Sequence, residues 1–163
     1  MDERKKYRRR ICRWNLPTGK KVNRAEFVKI LIETISGSEE IENCKYRAFN
    51  DVPTQSWYSP YICVAQKKGI IQGYPNGTFQ PEKNITFPEA AKVIAEVLDL
   101  TIPKVAEGAS WYEPYIEALA LKKAIPTSIS NLQHPVNRGE MAEQIWRIKE
   151  DVTNLSSRKS RDF

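Results

Sequence analysis

Histidine and cysteine are scarce in this 163-residue chain: His134 stands alone, and the cysteines are Cys12, Cys44 and Cys63. A single histidine excludes a histidine-based metal cluster. Three cysteines, with no paired ligand spacing and no redox dipeptide, point to neither a zinc site nor a thiol-redox centre. Cys63 falls on the apolar side of an expected helix and reads as a small buried hydrophobe. No apolar run is long enough to cross a bilayer. The charged start is not followed by the apolar stretch of a secretory leader. A nucleophile motif is missing, and no unrepeated acid pair suggests the two divergent carboxylates of a glycosidase. The expectation is a non-catalytic protein with no cofactor, no metal and no membrane insertion.

The net charge is +6, but it is not spread evenly. Residues 1–13 carry seven basic and two acidic side chains, and residues 156–163 carry three and one. Between them, 16 basic groups face 17 acidic ones. The run Arg4-Lys5-Lys6-Tyr7-Arg8-Arg9-Arg10 has the charge for a phosphate-binding arm. It equally fits a solvated terminus, since no basic helix or interleaved aromatics continue it. Both ends are expected to be disordered tails, and nucleic acid is an unlikely partner.

What the chain does contain is repetition. Trp57-Tyr58-Ser59-Pro60-Tyr61-Ile62 returns 54 residues later as Trp111-Tyr112-Glu113-Pro114-Tyr115-Ile116. A second signature occurs three times, as Asn23-Arg24-Ala25-Glu26-Phe27, Thr86-Phe87-Pro88-Glu89-Ala90 and Asn137-Arg138-Gly139-Glu140-Met141. Units of roughly 50 residues imply stacked modules. The boundaries read as a partial first unit at 14–43, a complete one at 44–101 and a divergent one at 102–155.

The middle unit can be followed from end to end. Phe49-Asn50-Asp51-Val52-Pro53 is an extended lead-in, with Asp51 able to bond backbone amides. A helix begins around Trp57–Pro60, proline being tolerated in a first turn, and Gly69 stops it. Gly73-Tyr74-Pro75-Asn76-Gly77-Thr78-Phe79 is a tight turn in which Asn76-Gly77 supplies positive φ. Thr86-x-x-Glu89 is a capping box that opens a second helix, whose apolar stripe is Ala90, Val93, Ile94, Val97 and Leu98. The first unit repeats the stripe with Phe27, Ile30, Leu31 and Ile35, and the third with Met141, Ile145 and Ile148. Neither helix of a unit buries its face alone, so the units must pack on one another. The fold class is mainly α.

Phe49-x-Asp51-Val52-Pro53, Trp57-Tyr58-x-x-Tyr61-Ile62, Gly69-Ile70-Ile71-x-Gly73-Tyr74-Pro75-x-Gly77-Thr78-Phe79-x-Pro81 and Ile85-Thr86-x-x-Glu89-Ala90 together resemble an S-layer homology (SLH) module. The third unit keeps the aromatic box and helix start, while its turn is reduced to Ala124-Ile125-Pro126-Thr127-Ser128. The resemblance implies helix–loop–helix repeats packed as a pseudo-threefold array with one copy incomplete. It implies a cell-surface anchor that binds an acidic, often pyruvylated, cell-wall glycopolymer or peptidoglycan-linked glycan. The family's groove arginine, which meets the ligand carboxylate, maps onto Arg24 and Arg138, and Phe87 replaces it in the middle unit. Self-association through the incomplete copy is the alternative partner reading.

The candidate ligand-binding residues are therefore Arg24, Asp51, Trp57, Gly73, Tyr74, Gly77, Trp111 and Arg138. An arginine fork suits a carboxylate, but each arginine also fits a pairing with a neighbouring acid. Trp57 and Trp111 either stack on sugar faces or stand as pillars between units. Gly73 and Gly77 either let a ligand approach closely or simply form the turn. Glu26, Glu89 and Glu140 read as capping residues.

Overall fold

A computed structural model describes residues 19–163. The basic arm at 1–13, with the nucleic-acid reading it carries, lies outside those residues. Six α-helices follow in order: α1 (Arg24–Ile35), α2 (Ser38–Asn43), α3 (Ser59–Lys67), α4 (Phe87–Val97), α5 (Glu113–Leu121) and α6 (Arg138–Lys149). A 3-10 turn at Ser160–Asp162 ends the chain. The protein is mainly α, and backbone pairing outside the helices is limited to isolated bridges among the described residues.

The long helices begin where the capping signatures sit. Asn23 accepts the Glu26 N–H at 2.8 Å, and Glu26 accepts the Asn23 N–H at 3.2 Å. Asn137 and Glu140 reproduce both bonds at 2.9 and 3.0 Å. Glu89 accepts the Thr86 N–H at 3.0 Å. Each box satisfies amides that a helix start leaves unpaired.

Just ahead of these caps, three backbone segments bond to one another in a closed ring. The Val22 N–H donates to Val136 O, the Ile85 N–H to Val22 O, and the Val136 N–H to Ile85 O, each at 3.0 Å. A second ring lies beside it: Arg24 N–H to Lys83 O (2.9 Å), Phe87 N–H to His134 O (3.0 Å) and Arg138 N–H to Lys20 O (3.1 Å). All three helix starts are thus held at one centre, each tied to both others. Val22, Ile85 and Val136 are buried there.

Packing spreads outward from that centre. α1 packs on α3 and on α4, and α4 packs on α5. Phe27, Leu31, Ile62, Ile94 and Leu119 are fully buried along these contacts. Each such side chain contributes roughly 1.5–3 kcal/mol by leaving water. Of the expected stripes, only Ile35 departs, being exposed at the last turn of α1.

Three features differ from the sequence expectation. Cys44 and Cys63 form a disulfide, with Cα atoms 5.8 Å apart. Cys63 is buried as expected, but it is a cross-link rather than a lone hydrophobe. The partner comes from the end of α2, a short helix that sequence periodicity does not reveal. Residues 156–163 are docked rather than disordered: the Arg158 N–H donates to Ile125 O (3.0 Å). Ser157 Oγ accepts from Ile125 N and donates to Ile125 O, at 3.2 and 3.1 Å. Finally, Gly73 and Gly77 carry the turn's positive φ, and Asn76 does not. Asn76 instead accepts from Thr78 Oγ1 (2.7 Å) and Thr78 N (3.2 Å), a side-chain-mediated turn.

Candidate functional site

The middle unit's turn is built by its lead-in. Asp51 accepts from Phe79 N and Gln80 N, both at 2.7 Å. Gln80 holds a left-handed φ of 56°, a conformation that costs a non-glycine residue roughly 1–2 kcal/mol. The paired amide bonds offset that cost. Phe49 stacks on Phe79 with ring centroids 5.5 Å apart. A Cβ on Gly73 would lie 2.5 Å from the Phe49 ring, and one on Gly77 would lie 2.9 Å from Asn50 Nδ2. Both glycines therefore make room for the lead-in strand, not for open space. Asp51, Gly73 and Gly77 shape the loop, and what the loop presents is Tyr74 and Phe79.

Arg24 reaches into this loop from the first turn of α1. Its Nε donates to Phe79 O at 2.8 Å, and a terminal nitrogen lies 2.8 Å from Glu89 Oε1. The guanidinium sits over the Tyr74 ring at 4.8 Å and the Phe79 ring at 4.6 Å. The Tyr74 hydroxyl donates to Glu89, and Lys83 Nζ donates to that hydroxyl at 3.1 Å. Arg24 is 8% exposed, so it forms a buried ion pair enclosed by two rings and not a helix-surface pair. Burial pushes the Glu89 carboxyl up, but Arg24, the Thr86 amide and the Tyr74 hydroxyl outweigh it and hold it below its ordinary value. Burial, together with the donated bond to Glu89, raises the Tyr74 hydroxyl.

Arg138 makes the corresponding reach from α6. One terminal nitrogen donates to Glu26 Oε1 at 2.8 Å, and Lys20 Nζ stands 4.0 Å from the same oxygen. Its Nε is buried without a hydrogen-bond partner among the described residues. The third interface departs from the pattern. Phe87 occupies the arginine position, fully buried, with its ring 5.0 Å from that of Phe163. Glu140 is held instead by Ser128 Oγ (2.7 Å) and His134 Nε2 (2.9 Å).

Trp57 and Trp111 stand apart from the arginine pockets, 52% and 56% exposed. Each meets its neighbouring tyrosine edge to face, at 5.2 and 5.6 Å. They are not buried pillars. Lys29 Nζ lies 5.5 Å from the Trp57 ring and 5.3 Å from the Tyr61 ring. Sequence reasoning missed Lys29, Lys83, Phe79 and Glu89 as partners, although the repeated signature already marked the Glu89 position.

Residues 48–91 match the family model for the S-layer homology domain. The chain is 35% identical over 129 residues to the S-layer protein sap of Bacillus anthracis, covering 72% of this chain and 16% of that protein. It is 32% identical over 116 residues to the outer membrane protein SlpA of Thermus thermophilus, covering 67% and 12%. It is 28% identical over 145 residues to the cellulosome-anchoring protein of Acetivibrio thermocellus, covering 79% and 32%. In each case the match takes in less than a third of the relative. With the lead-in, turn and capping box of residues 48–91 assembled as one structural unit, the chain carries an S-layer homology domain.

Proposed function

We propose that this chain is a non-catalytic anchoring module that holds a protein at the bacterial cell surface by binding an acidic cell-wall glycopolymer. The observation that carries the reading is the Arg24 pocket. A planar guanidinium is fixed between two aromatic rings, with Phe79 O and Glu89 orienting it, in a site walled by both units. A preoriented arginine suits a carboxylate because its fork can donate two parallel bonds. Arg138 would serve a second pocket, while Phe87 leaves the third without a cation at that position. Tyr74 would contact the sugar bearing the acidic substituent.

The closed hydrogen-bond ring supports reading the chain as three units about a pseudo-threefold axis, at 14–43, 44–101 and 102–155. The Cys44–Cys63 disulfide is consistent with an oxidising location outside the cytoplasm. Relatives named as S-layer and anchoring proteins favour the same surface role.

Co-sedimentation with bacterial wall sacculi tests the proposal, before and after acid extraction removes the attached glycopolymer. Binding should disappear with the polymer. Arg24→Ala should weaken binding to intact sacculi by about tenfold or more, as loss of a charge-assisted contact implies. Unchanged binding by an Arg24→Ala, Arg138→Ala double variant would overturn the arginine assignment.

A further inference from the structure

Lys29 and Lys92 are both the sixth residue of a long helix, and Glu33 and Glu96 are both the tenth. α1 packs on α3 and α4 on α5, which brings each Lys–Glu pair against an aromatic box. Lys29 lies over Trp57 and Tyr61, and the Tyr61 hydroxyl donates to Glu33 Oε1 at 3.1 Å. Lys92 Nζ lies 5.7 Å from the Tyr115 ring and donates to Gln72 Oε1 at 3.2 Å. Burial, and after it the Glu96 carboxylate that bears on it, raise the Tyr115 hydroxyl. Trp57 lies under Lys29 in the first set, and Trp111 stands four residues before Tyr115, as Trp57 stands before Tyr61. The same four residue types recur at two places on the surface, outside the arginine pockets.

Core packing does not account for these tryptophans, since the other interface aromatics, Phe27, Phe79 and Phe87, are buried to 1% or less. Nor is the polar rim closed on itself. Lys29 Nζ and Glu33 Oε1 are 3.8 Å apart, with side chains 37% and 36% exposed. That gap is too long for a direct hydrogen bond, so the Lys29 ammonium can donate, and the Glu33 oxygen not taken by Tyr61 can accept, elsewhere. Lys92 keeps donors beyond the one it gives Gln72. An aromatic plane with a donor and an acceptor at its edge matches a pyranose ring, which has a C–H-rich face and hydroxyls around its rim.

We infer that Trp57-Tyr61-Lys29-Glu33 and Trp111-Tyr115-Lys92-Glu96 are two related platforms for an uncharged pyranose chain, the first the more fully assembled, working independently of the buried arginines. The inference rests on the reading that this chain meets wall glycan, and differs in requiring no acidic substituent. The corresponding positions on α6 are Glu143 and Arg147, which pair with each other while Arg147 is buried. A third platform is therefore not formed from α6, and the stoichiometry is two.

The full chain is titrated with a soluble tetramer of β-linked N-acetylglucosamine, followed by tryptophan fluorescence and calorimetry. Two weak sites should be found. Trp57→Ala and Trp111→Ala should each leave one, and the double variant none, with thermal midpoints little changed because both residues are exposed. Arg24→Ala should retain both sites. Undiminished binding by the double tryptophan variant, or loss of tetramer binding on Arg24→Ala, would overturn the inference. A wild-type chain that ignores the tetramer yet still sediments with acidic sacculi would overturn the platforms and leave the arginine reading standing. Failure to sediment, with tetramer binding intact, would do the reverse.

Discussion

The Arg24–Glu89 interface and the Phe87–Glu140 interface occupy equivalent places at the start of two helices, yet they are held by opposite chemistry. In the first, a buried guanidinium enclosed by two aromatic rings meets a partly buried carboxylate. In the second, the cation is gone, a phenyl ring fills its place, and Ser128 and His134 take over the glutamate. The capping role of the glutamate survives in both, because it depends on the helix start alone. What changes is the residue facing it from the neighbouring unit. Equivalent helix starts thus tolerate either a buried ion pair or an apolar seal, and only the first places a cation at that position.

The sharpest way to separate the two is to truncate each centre. Phe87→Ala removes a fully buried ring and should cost about 4 kcal/mol in denaturant unfolding. Arg24→Ala should cost about 2 kcal/mol, because it removes the cation beside a partly buried carboxylate that keeps its bonds to the Thr86 amide and Tyr74. The two costs should also respond differently to pH. Below the Glu89 titration the Arg24 penalty should shrink, while the Phe87 penalty should not move. Equal pH dependence in both variants would mean that the Arg24–Glu89 pair contributes little as a charge pair.

The middle and third units differ again in covalent support. A disulfide spanning 19 residues clamps α2 to α3, whereas residues 102–155 contain no cysteine. Replacing both Cys44 and Cys63 with serine should cost about 3 kcal/mol, from the loop the bridge closes in the unfolded chain. Hydrogen exchange should speed up in α2 and α3 and leave α5 unchanged. Uniform acceleration would show that the bridge serves the whole assembly.

A smaller effect comes from acid. Glu89 has a folded-state value below the ordinary glutamate value of about 4.5. Its contribution is therefore fully present above that ordinary value and is lost as the pH falls through the folded one. Unfolding profiles between neutral pH and pH 3 should flatten in Glu89→Gln. An unaltered profile would place the acid sensitivity elsewhere.

The helix starts were legible because capping boxes are local: three residues of spacing fix them. The turn and lead-in were legible for a similar reason, since glycine and proline leave few alternatives, while the positive φ expected of Asn76 belongs to Gly73 and Gly77. Arg24 and Arg138 were found by repetition, but their partners lie 65 and 112 residues away and leave no local trace. The disulfide was hidden by an odd cysteine count and by a linker between its two halves. Residues 156–163 read as a tail because they are polar, yet they dock through the backbone of Ile125 and Thr127, an Arg147 bond to Ser156 O and a single terminal ring. Long-range backbone contacts of that kind write nothing into composition or periodicity.

That terminal ring offers the finest test of the apolar interface. Phe163 is partly buried and meets Phe87 at a 38° tilt with centroids 5.0 Å apart. An aromatic pair of this kind contributes about 0.5–1.5 kcal/mol beyond the area it buries. Phe163→Ala should therefore lower stability by about 1–2 kcal/mol, much less than Phe87→Ala, and should leave the Arg24 pocket and the Cys44–Cys63 region unperturbed. A double-mutant cycle isolates the contact: if the rings stabilise each other, the Phe163→Ala penalty should nearly vanish in a Phe87→Ala background. Additive penalties would mean that the segment is held by Ser157 and Arg158 on Ile125 and that the ring only rests against the seal. In that case the third interface is closed by Phe87 alone, and the contrast with the Arg24 pocket reduces to one residue.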